Sequence, residues 1–507
     1  MDPHQRKQGQ LDRNDDQSQG CHRLPAWHDR RSFLKAAGRT GLAATTMLRS
    51  GAALLGGAHA LLRPDRVAAA ASKPLVQPQE IRSQNGVLNA TLTATASRVQ
   101  IGDYALPGFL YNDAYLPPLL RVRRGDVMRI TFRNKLPDDA SNLHFHGMSV
   151  SPQANSDNVF IHVHPGEEFD YEVRVPAAGR QGPGLFWYHP HAHGFVAKQM
   201  LGGMSGGLVV DASESLFAIT ESLPETFLFI KHFEQGDDEV ISINGQLDPT
   251  LRIDAGEMQF WRIANIGATL FVKFHIEGMR LYALATDGHP LSQPRKMTEL
   301  FLGPGERIDA IAIGPPAGEY AMRTIAFQNQ AWRKPYPPQQ LATIIARSRP
   351  MRADAEAEVL RQHVGGARWI DEVRSAALAH RRKLEYSRTP DRQVFMIDGR
   401  VMDDHRIDQI VKLGDTEEWT IVNTDEQYHS FHIHQTPFLV TEVNGVRQNE
   451  DSLRDTFSVP PATDAGPGVL KVVIAFTDPV IVGRFVYHCH AVDHEDKGMM
   501  GVVEVVA

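Results

Sequence analysis

The chain has 507 residues, of which 42% are hydrophobic, so it is long enough for about three globular domains that each bury a core. Its net charge of -7 offers no basic face for phosphates, and we therefore expect no nucleic-acid partner. Only Cys21 and Cys489 are cysteines, and Cys21 lies in a segment that we expect to be removed, which excludes a disulfide framework.

Residues 1–71 are interpreted as a targeting segment and its lead-in. The motif RRSFLK, which begins at Arg30, matches a twin-arginine signal, and an apolar run with an A-x-A cleavage pattern at Ala58 follows it. Arg49 interrupts that run, which argues against a stable membrane span. We therefore expect the twin-arginine export machinery to deliver the protein to the periplasm or the medium.

Beyond residue 80, one strand pattern occurs three times. The segments RGDVMRITFRN, AGEMQFWRIAN and LGDTEEWTIVN begin at Arg124, Ala255 and Leu413. Each has a turn glycine, an acid, an alternating apolar run and a terminal asparagine. Short apolar runs bounded by Gly or Pro surround them. We predict an all-β chain of three sandwiches, at residues 80–213, 214–349 and 389–507.

Residues 350–388, between the second and third units, differ in composition from the rest of the chain. They are charged and rich in alanine, with helix formers from Ala353 to Gln362 and from Trp369 to Leu384. This pattern predicts a helical connector.

Four His-x-His pairs stand out, two in the first unit and two in the third. They are His144 and His146, His189 and His191, His432 and His434, and His488 and His490. A strand presents residues i and i+2 on one face, about 6.6 Å apart. Eight converging imidazoles would hold three metal ions. The middle unit has no such pair and is expected to be free of metal.

The segment HCHAVDHEDKGMM, near the end of the chain, contains a second type of donor set. Cys489, His494 and Met499 supply a thiolate, an imidazole and a thioether, and His429, three residues ahead of a His-x-His pair, supplies another imidazole. These ligands are typical of a type 1, or blue, copper site. Because side chains alternate along a strand, His488 and His490 point away from Cys489 and towards the cluster.

With these motifs, the chain from about residue 80 to its end resembles the three-domain multicopper oxidases, such as laccases and bacterial copper-efflux oxidases. The resemblance implies cupredoxin-like Greek-key domains and four coppers per monomer. His429, Cys489, His494 and Met499 match the type 1 ligands, and His144 and His432 match the type 2 pair. The type 3 ligands match His146, His189, His191, His434, His488 and His490.

The chain departs from the family pattern at two positions beside ligands. The family commonly has Pro after the type 1 histidine and Gly after the His-x-His pair, where this chain has Ser430 and Gln435. Neither change removes a donor atom. The resemblance also implies that Asp157 and Glu495 supply protons to the oxygen site. Asp425, four residues before His429, is a candidate for orienting a substrate, although a solvated loop acid is an equal alternative.

The expected activity is the transfer of four electrons, removed singly from a small reducing substrate, to dioxygen, which becomes water. Phenols and aromatic amines are the favoured reductants, because the methionines are scattered rather than clustered over the type 1 site and an open edge of His494 would suit aromatic donors. A metal oxidase acting on Cu(I), Fe(II) or Mn(II) is the alternative. A copper-free structural relative has no need for twelve retained ligands.

Overall fold

The computed structural model describes residues 73–211, 218–235, 238–330, 335–350, 354–362 and 365–507. The twin-arginine motif lies outside these residues, so export stays a prediction, which cytoplasmic retention of a variant with Lys at Arg30 and Arg31 would test. In the part of the chain that is described, no helix is long and apolar enough to cross a membrane.

The first unit is a sandwich of two sheets. Its strand orders are β1-β4-β9-β8-β6 and β3-β2-β5-β7, with one short helix, α1, ahead of the last strand. The elements are β1 Glu80–Arg82, β2 Val87–Ile101, β3 Tyr104–Tyr111, β4 Leu119–Arg123, β5 Val127–Asn134, β6 His144–His146, β7 Glu168–Arg174, β8 Gly184–His189, α1 Val196–Leu201 and β9 Gly206–Asp211.

The second unit repeats this architecture, with sheets β11-β10-β13-β18-β15-β16 and β12-β20-β19-β14-β17. Its strands are β10 Glu225–Gln235, β11 Asp238–Ile243, β12 Thr250–Arg252, β13 Met258–Asn265, β14 Val272–Ile276, β15 Arg280–Thr286, β16 His289–Met297, β17 Leu300–Leu302, β18 Arg307–Ile313, β19 Gly318–Thr324 and β20 Gln340–Ala346. A 3-10 turn spans Ala218–Ser222.

The third unit contains sheets β22-β21-β24-β29-β26-β27 and β23-β31-β30-β25-β28. The helices α2 Ala355–Leu360 and α3 Ala367–Ser375 precede this unit. Its elements are β21 His380–Arg388, β22 Phe395–Ile397, β23 Gln409–Lys412, β24 Thr416–Asn423, β25 His429–Ile433, β26 Phe438–Val443, β27 Val446–Arg447, β28 Thr456–Val459, β29 Gly468–Ala475, a 3-10 turn Pro479–Ile481, β30 Gly483–Cys489, α4 Val492–Asp496 and β31 Met500–Val506. The all-β prediction is confirmed.

The repeated asparagines make the same set of hydrogen bonds in each unit. Asn134, Asn265 and Asn423 end β5, β13 and β24, and each side-chain amide donates to two backbone carbonyls at 2.7–3.0 Å. Each amide oxygen also accepts a loop N–H two residues on. A buried amide satisfied in this way fixes the path of the chain that leaves the strand. In the first and third units, that path leads to β6 and β25, which carry histidines of the His-x-His pairs.

The helical connector is only partly as predicted. The helices α2 and α3 lie where helix formers were recognised, but α3 ends at Ser375 rather than continuing to Leu384. Residues 380–388 instead form β21, which pairs in parallel with β24. Arg382 on β21 donates two hydrogen bonds of 2.6 and 2.8 Å to Glu417 on β24. A residue type with high helix propensity is therefore paired across two strands. Propensity is a weak prior that tertiary pairing overrides.

Lys231 on β10 joins the second unit to the first. Its Nζ donates to the carbonyls of Tyr115, Gly203 and Ser205 at 2.7, 3.0 and 2.7 Å, and its side chain is buried. Burial lowers the pKa of Lys231 to about 7, because desolvation disfavours the ammonium. The three acceptors lie in segments that flank β4 and α1, so one cation holds these segments against the second unit.

Replacing Lys231 with Met should destabilise the protein by about 1–3 kcal/mol, since buried carbonyls lose their donor. Between pH 7 and the unfolded-state value of about 10.4, the unfolded wild-type chain binds more protons at this lysine than the folded chain. The difference in the free energy of unfolding between wild type and Lys231→Met should therefore increase as the pH rises through that window. Unfolding midpoints at pH 6.5 and 9 test this, with Lys412→Met, at an exposed position, as control. A smaller difference between the two unfolding midpoints at pH 9 than at pH 6.5 would contradict this expectation.

Candidate metal centre

Strand register brings the four His-x-His pairs together. In the first unit β6 pairs with β8, which places His144 opposite His189. In the third unit β25 pairs with β30, which places His432 opposite His488. Each unit therefore offers two adjacent strand ends that carry four imidazoles, and the site forms where the two sets meet.

The two sets stack on one another across the boundary between the units. The rings of His144 and His434 lie 3.8 Å apart at 7°, and those of His146 and His432 lie 3.9 Å apart at 9°. All eight histidines are at most 2% exposed. The cluster thus requires both units and is closed to bulk water.

Three of the eight histidines lie just past a strand rather than within it, unlike the simple strand prediction. They are His191, His434 and His490, and backbone hydrogen bonds hold them in place nevertheless. The N–H of His191 donates to Asn142 Oδ1 at 2.6 Å, that of His434 to the Val486 carbonyl at 3.1 Å and that of His490 to the Ser430 carbonyl at 2.7 Å.

The ring nitrogens suit metal binding. His144, His189 and His432 direct Nδ1 to an oxygen of Asp157, Pro190 and Asp455 respectively, at 2.7–3.1 Å. Their Nε2 atoms are buried and have no hydrogen-bond partner among the described residues. Fixing the proton on one nitrogen leaves the lone pair of the other free for a metal, which is how ligand histidines are oriented.

A further group of nitrogens faces one another directly. Nε2 of His488 lies 3.2 Å from Nε2 of His191 and 3.2 Å from Nε2 of His434. Burial lowers the pKa of His488 to about 3 and that of His191 to about 4, so the imidazoles stay neutral, which is the ligand form. A neutral imidazole has one nitrogen with a free lone pair, so three converging Nε2 atoms in that form would fit a bound cation.

The second donor set lies on the other side of β30. His429 Nδ1 is 3.3 Å from Cys489 Sγ, His494 Nδ1 is 3.6 Å from the same sulfur, and the two nitrogens are 3.2 Å apart. Met499 is fully buried, and its carbonyl accepts the Cys489 N–H at 3.1 Å. Burial raises the pKa of the Cys489 thiol to about 12, so its thiolate requires a neighbouring cation. Sulfur with two imidazoles fits copper.

The acids singled out beside the cluster contact its ligands. Asp157 lies 3.0 Å from His144 Nδ1 and is buried. Glu495 Oε2 lies 3.1 Å from His488 Nδ1, and its Oε1 lies 3.5 Å from His191 Nδ1. Burial raises the pKa of each of these two carboxyls to about 7.

Asp425 is placed to orient a ligand. It is 4% exposed, and its Oδ2 lies 3.3 Å from His429 Nε2, while Arg388 donates to Oδ1 at 2.6 Å and Gln427 to Oδ2 at 2.7 Å. With both oxygens engaged, this carboxylate fixes the His429 ring. The geometry favours that role over contact with a substrate.

Two residues that the sequence interpretation missed complete the cluster. Asp455 Oδ1 lies 3.0 Å from His146 Nε2, and Arg307, from the middle unit, donates to both Asp455 oxygens at 2.7 and 2.6 Å. Burial acts to raise the pKa of Asp455, but Arg307 outweighs it and holds that pKa below its ordinary value. Neither residue stands at a ligand spacing, so only the tertiary structure reveals them.

Spacing alone also gives a false signal. His162 and His164 share the His-x-His spacing, but both are exposed and lie outside the cluster. The four pairs of the cluster are distinguished by their burial on facing strand ends.

Comparisons with known proteins agree with this geometry. Three family models described as multicopper oxidase match residues 93–215, 187–346 and 376–507. A multicopper oxidase of Staphylococcus aureus is 25% identical over 450 residues, covering 84% of this chain and 90% of that protein. A laccase of Bacillus stratosphericus is 23% identical, covering 78% and 90%. The structure of a Campylobacter jejuni multicopper oxidase, described as a metallo-oxidase, shares the fold at TM-score 0.70 and 24% identity, covering 86% and 94%.

Replacing Cys489 with Ser should abolish the intense blue colour of the copper-loaded protein and leave copper bound at the histidine cluster, because only the thiolate gives that absorption. Visible spectra and copper per chain measure both effects. Replacing both His189 and His191 with Ala is the reciprocal change, which should keep the colour and stop oxygen consumption. A blue Cys489→Ser protein would exclude the sulfur as ligand.

Proposed function

Because the chain belongs to the multicopper oxidase family, we propose that it couples four one-electron oxidations of a small reducing substrate to the reduction of dioxygen to two waters. The observation that carries this proposal is the placement of Cys489 in one donor set and of His488 and His490 in the other. The sets are thus joined by adjacent residues of a single strand end.

The four coppers are assigned as the family resemblance implies. His429, Cys489, His494 and Met499 would hold the type 1 ion, and His144 and His432 the type 2 ion. The type 3 pair would be held by His146, His189, His191, His434, His488 and His490. Copper, when bound at these donors, supplies one-electron redox chemistry, accepting electrons singly and passing four to dioxygen.

Electrons are proposed to enter near His494. The expected open edge of this ring is narrow, because His494 is only 4% exposed and stacks on Phe395 with a centroid distance of 4.1 Å. Asp493 lies 3.7 Å from His494 Nε2, and its side chain is 23% exposed. A phenol hydroxyl or an aromatic amine would therefore meet a carboxylate acceptor and an aromatic ring beside the ligand that receives its electron.

Protons are proposed to reach the cluster through Glu495 and Asp157. Each carboxyl touches a ligand histidine, and the two lie beside different histidines of the cluster. Gln435 donates to Asp157 Oδ2 at 2.8 Å. The φ of Gln435 is 65°, a left-handed conformation that glycine, the common residue here in the family, adopts without strain. A fixed acid close to the oxygen site can deliver protons without admitting bulk water.

The aromatic reductant is tested against the metal-oxidase alternative. Steady-state rates on a methoxyphenol and on Cu(I) are measured with fully loaded enzyme. We expect phenol oxidation without added copper, since Phe395 and Asp493 flank the His494 ring. A large preference for Cu(I), or phenol oxidation only with excess copper, would instead favour the metal oxidase.

Glu495→Gln and Asp157→Asn should each slow reoxidation of the reduced enzyme by about 10²-fold or more, the usual contribution of a positioned acid. Reduction of the type 1 site by substrate should be unchanged. Stopped-flow absorbance separates the two half-reactions. Glu306→Gln is a matched control, because this buried acid is bonded to Ser458 rather than to a ligand. Unchanged reoxidation in both variants would remove the acids from the proton path.

A further inference from the structure

Ser430 stands where the family commonly has proline, and its backbone has a direct contact with the type 1 sulfur. The Ser430 N–H donates to Cys489 Sγ at 3.5 Å, and the residue is fully buried. Proline has no N–H and cannot make this contact. The substitution therefore adds a hydrogen-bond donor to the copper-binding thiolate rather than merely reshaping a loop.

The local strand geometry explains why this N–H is available. In an antiparallel ladder the N–H and the carbonyl of one residue face the same neighbouring strand. The Ser430 carbonyl accepts the His490 N–H at 2.7 Å, so the Ser430 N–H faces the same end of β30. There it meets the side chain of Cys489, whose sulfur takes the place of a ladder carbonyl.

The side chain of Ser430 has a separate partner. Its hydroxyl donates to the Pro304 carbonyl of the middle unit at 3.3 Å. The hydroxyl and the backbone N–H thus act on different atoms, and substitution can remove one and keep the other.

We propose that the Ser430 backbone N–H raises the reduction potential of a copper ion held at Cys489. The inference rests on the proposed function, because it assumes that the His429, Cys489 and His494 donor set holds copper. Reduction of the ion leaves more negative charge on the sulfur, and an N–H dipole aimed at that sulfur stabilises the more charged state. Hydrogen bonding around the cysteine sulfur is a known means of tuning such sites. A higher potential extends the range of reductants to less readily oxidised phenols.

The matched variants are Ser430→Pro, which removes the N–H, and Ser430→Ala, which keeps the N–H and removes the hydroxyl. Redox titration of the blue absorption gives the potential of each loaded protein without turnover. Ser430→Pro should shift the equilibrium constant for electron exchange with a mediator at least tenfold towards oxidised protein, about 59 mV for one electron. The Ala491 N–H also faces the sulfur, so the site keeps one donor. Ser430→Ala should match wild type.

Equal potentials in Ser430→Pro and wild type would overturn the inference. An equal loss in Ser430→Ala would also overturn it, because the hydroxyl contact with Pro304 would then be responsible. A wild-type protein without blue absorption after copper loading would instead overturn the proposed function itself.

A second measurement does not depend on the folding of the proline variant. Wild-type protein labelled with ¹⁵N-serine is loaded with copper and studied by pulsed EPR. Coupling of a serine nitrogen to the type 1 copper should appear and should vanish in Ser430→Ala, which lacks the label at that position. Absence of this coupling in wild type would contradict the contact between the Ser430 N–H and the sulfur.

Discussion

The ion pair between Arg307 and Asp455 lies at the point where all three units meet the histidine cluster. Arg307 also donates through Nε to the Leu185 carbonyl of β8, so a single guanidinium touches the second unit, the third unit and the strand that carries His189. Both charges are buried, and removal of one partner of such a pair costs about 3–5 kcal/mol. The middle unit has no His-x-His pair, but through Arg307 it contacts both of the units that supply the histidine cluster.

This requirement follows from how the cluster is divided. Four imidazoles come from each outer unit, and those of one unit stack on those of the other at 3.8 and 3.9 Å. A relative shift of about 1 Å between the units would separate His191 Nε2 from His488 Nε2, which now lie 3.2 Å apart. Function thus depends on contacts far from any donor atom, including Lys231 and the asparagines that end β5 and β24.

Local sequence accounts for much of this structure. In all three units the repeat's glycine adopts a positive φ in the turn before the strand, and its terminal asparagine anchors the chain after the strand, so the three sandwiches could be predicted from pattern. The twelve predicted ligand positions also follow from donor chemistry and spacing. The structure gathers their ten imidazole rings and the Cys489 thiol into two compact groups, with Met499 beside Cys489.

Other features depend on tertiary contacts and could not be predicted. Residues 380–388 form a strand because Glu417 and Glu418 on β24 pair with its arginines. Arg307 and Asp455 are far apart in sequence, and no local pattern marks either one. The His494 edge is narrower than expected because Phe395, about a hundred residues away in the chain, stacks on the ring. His162 and His164 have the His-x-His spacing of a metal site, but they are exposed and lie outside the histidine cluster.

In the proposed function, one strand end joins an electron-accepting site to a cluster that completes the reduction of dioxygen. The most direct test is the stoichiometry of turnover. Oxygen uptake, the amount of one-electron donor oxidised and the amount of peroxide formed are measured together with the copper-loaded protein. We expect four donor molecules to be oxidised per dioxygen consumed, without accumulation of peroxide. A ratio of two with peroxide released would contradict it, because the cluster would then not act as a unit.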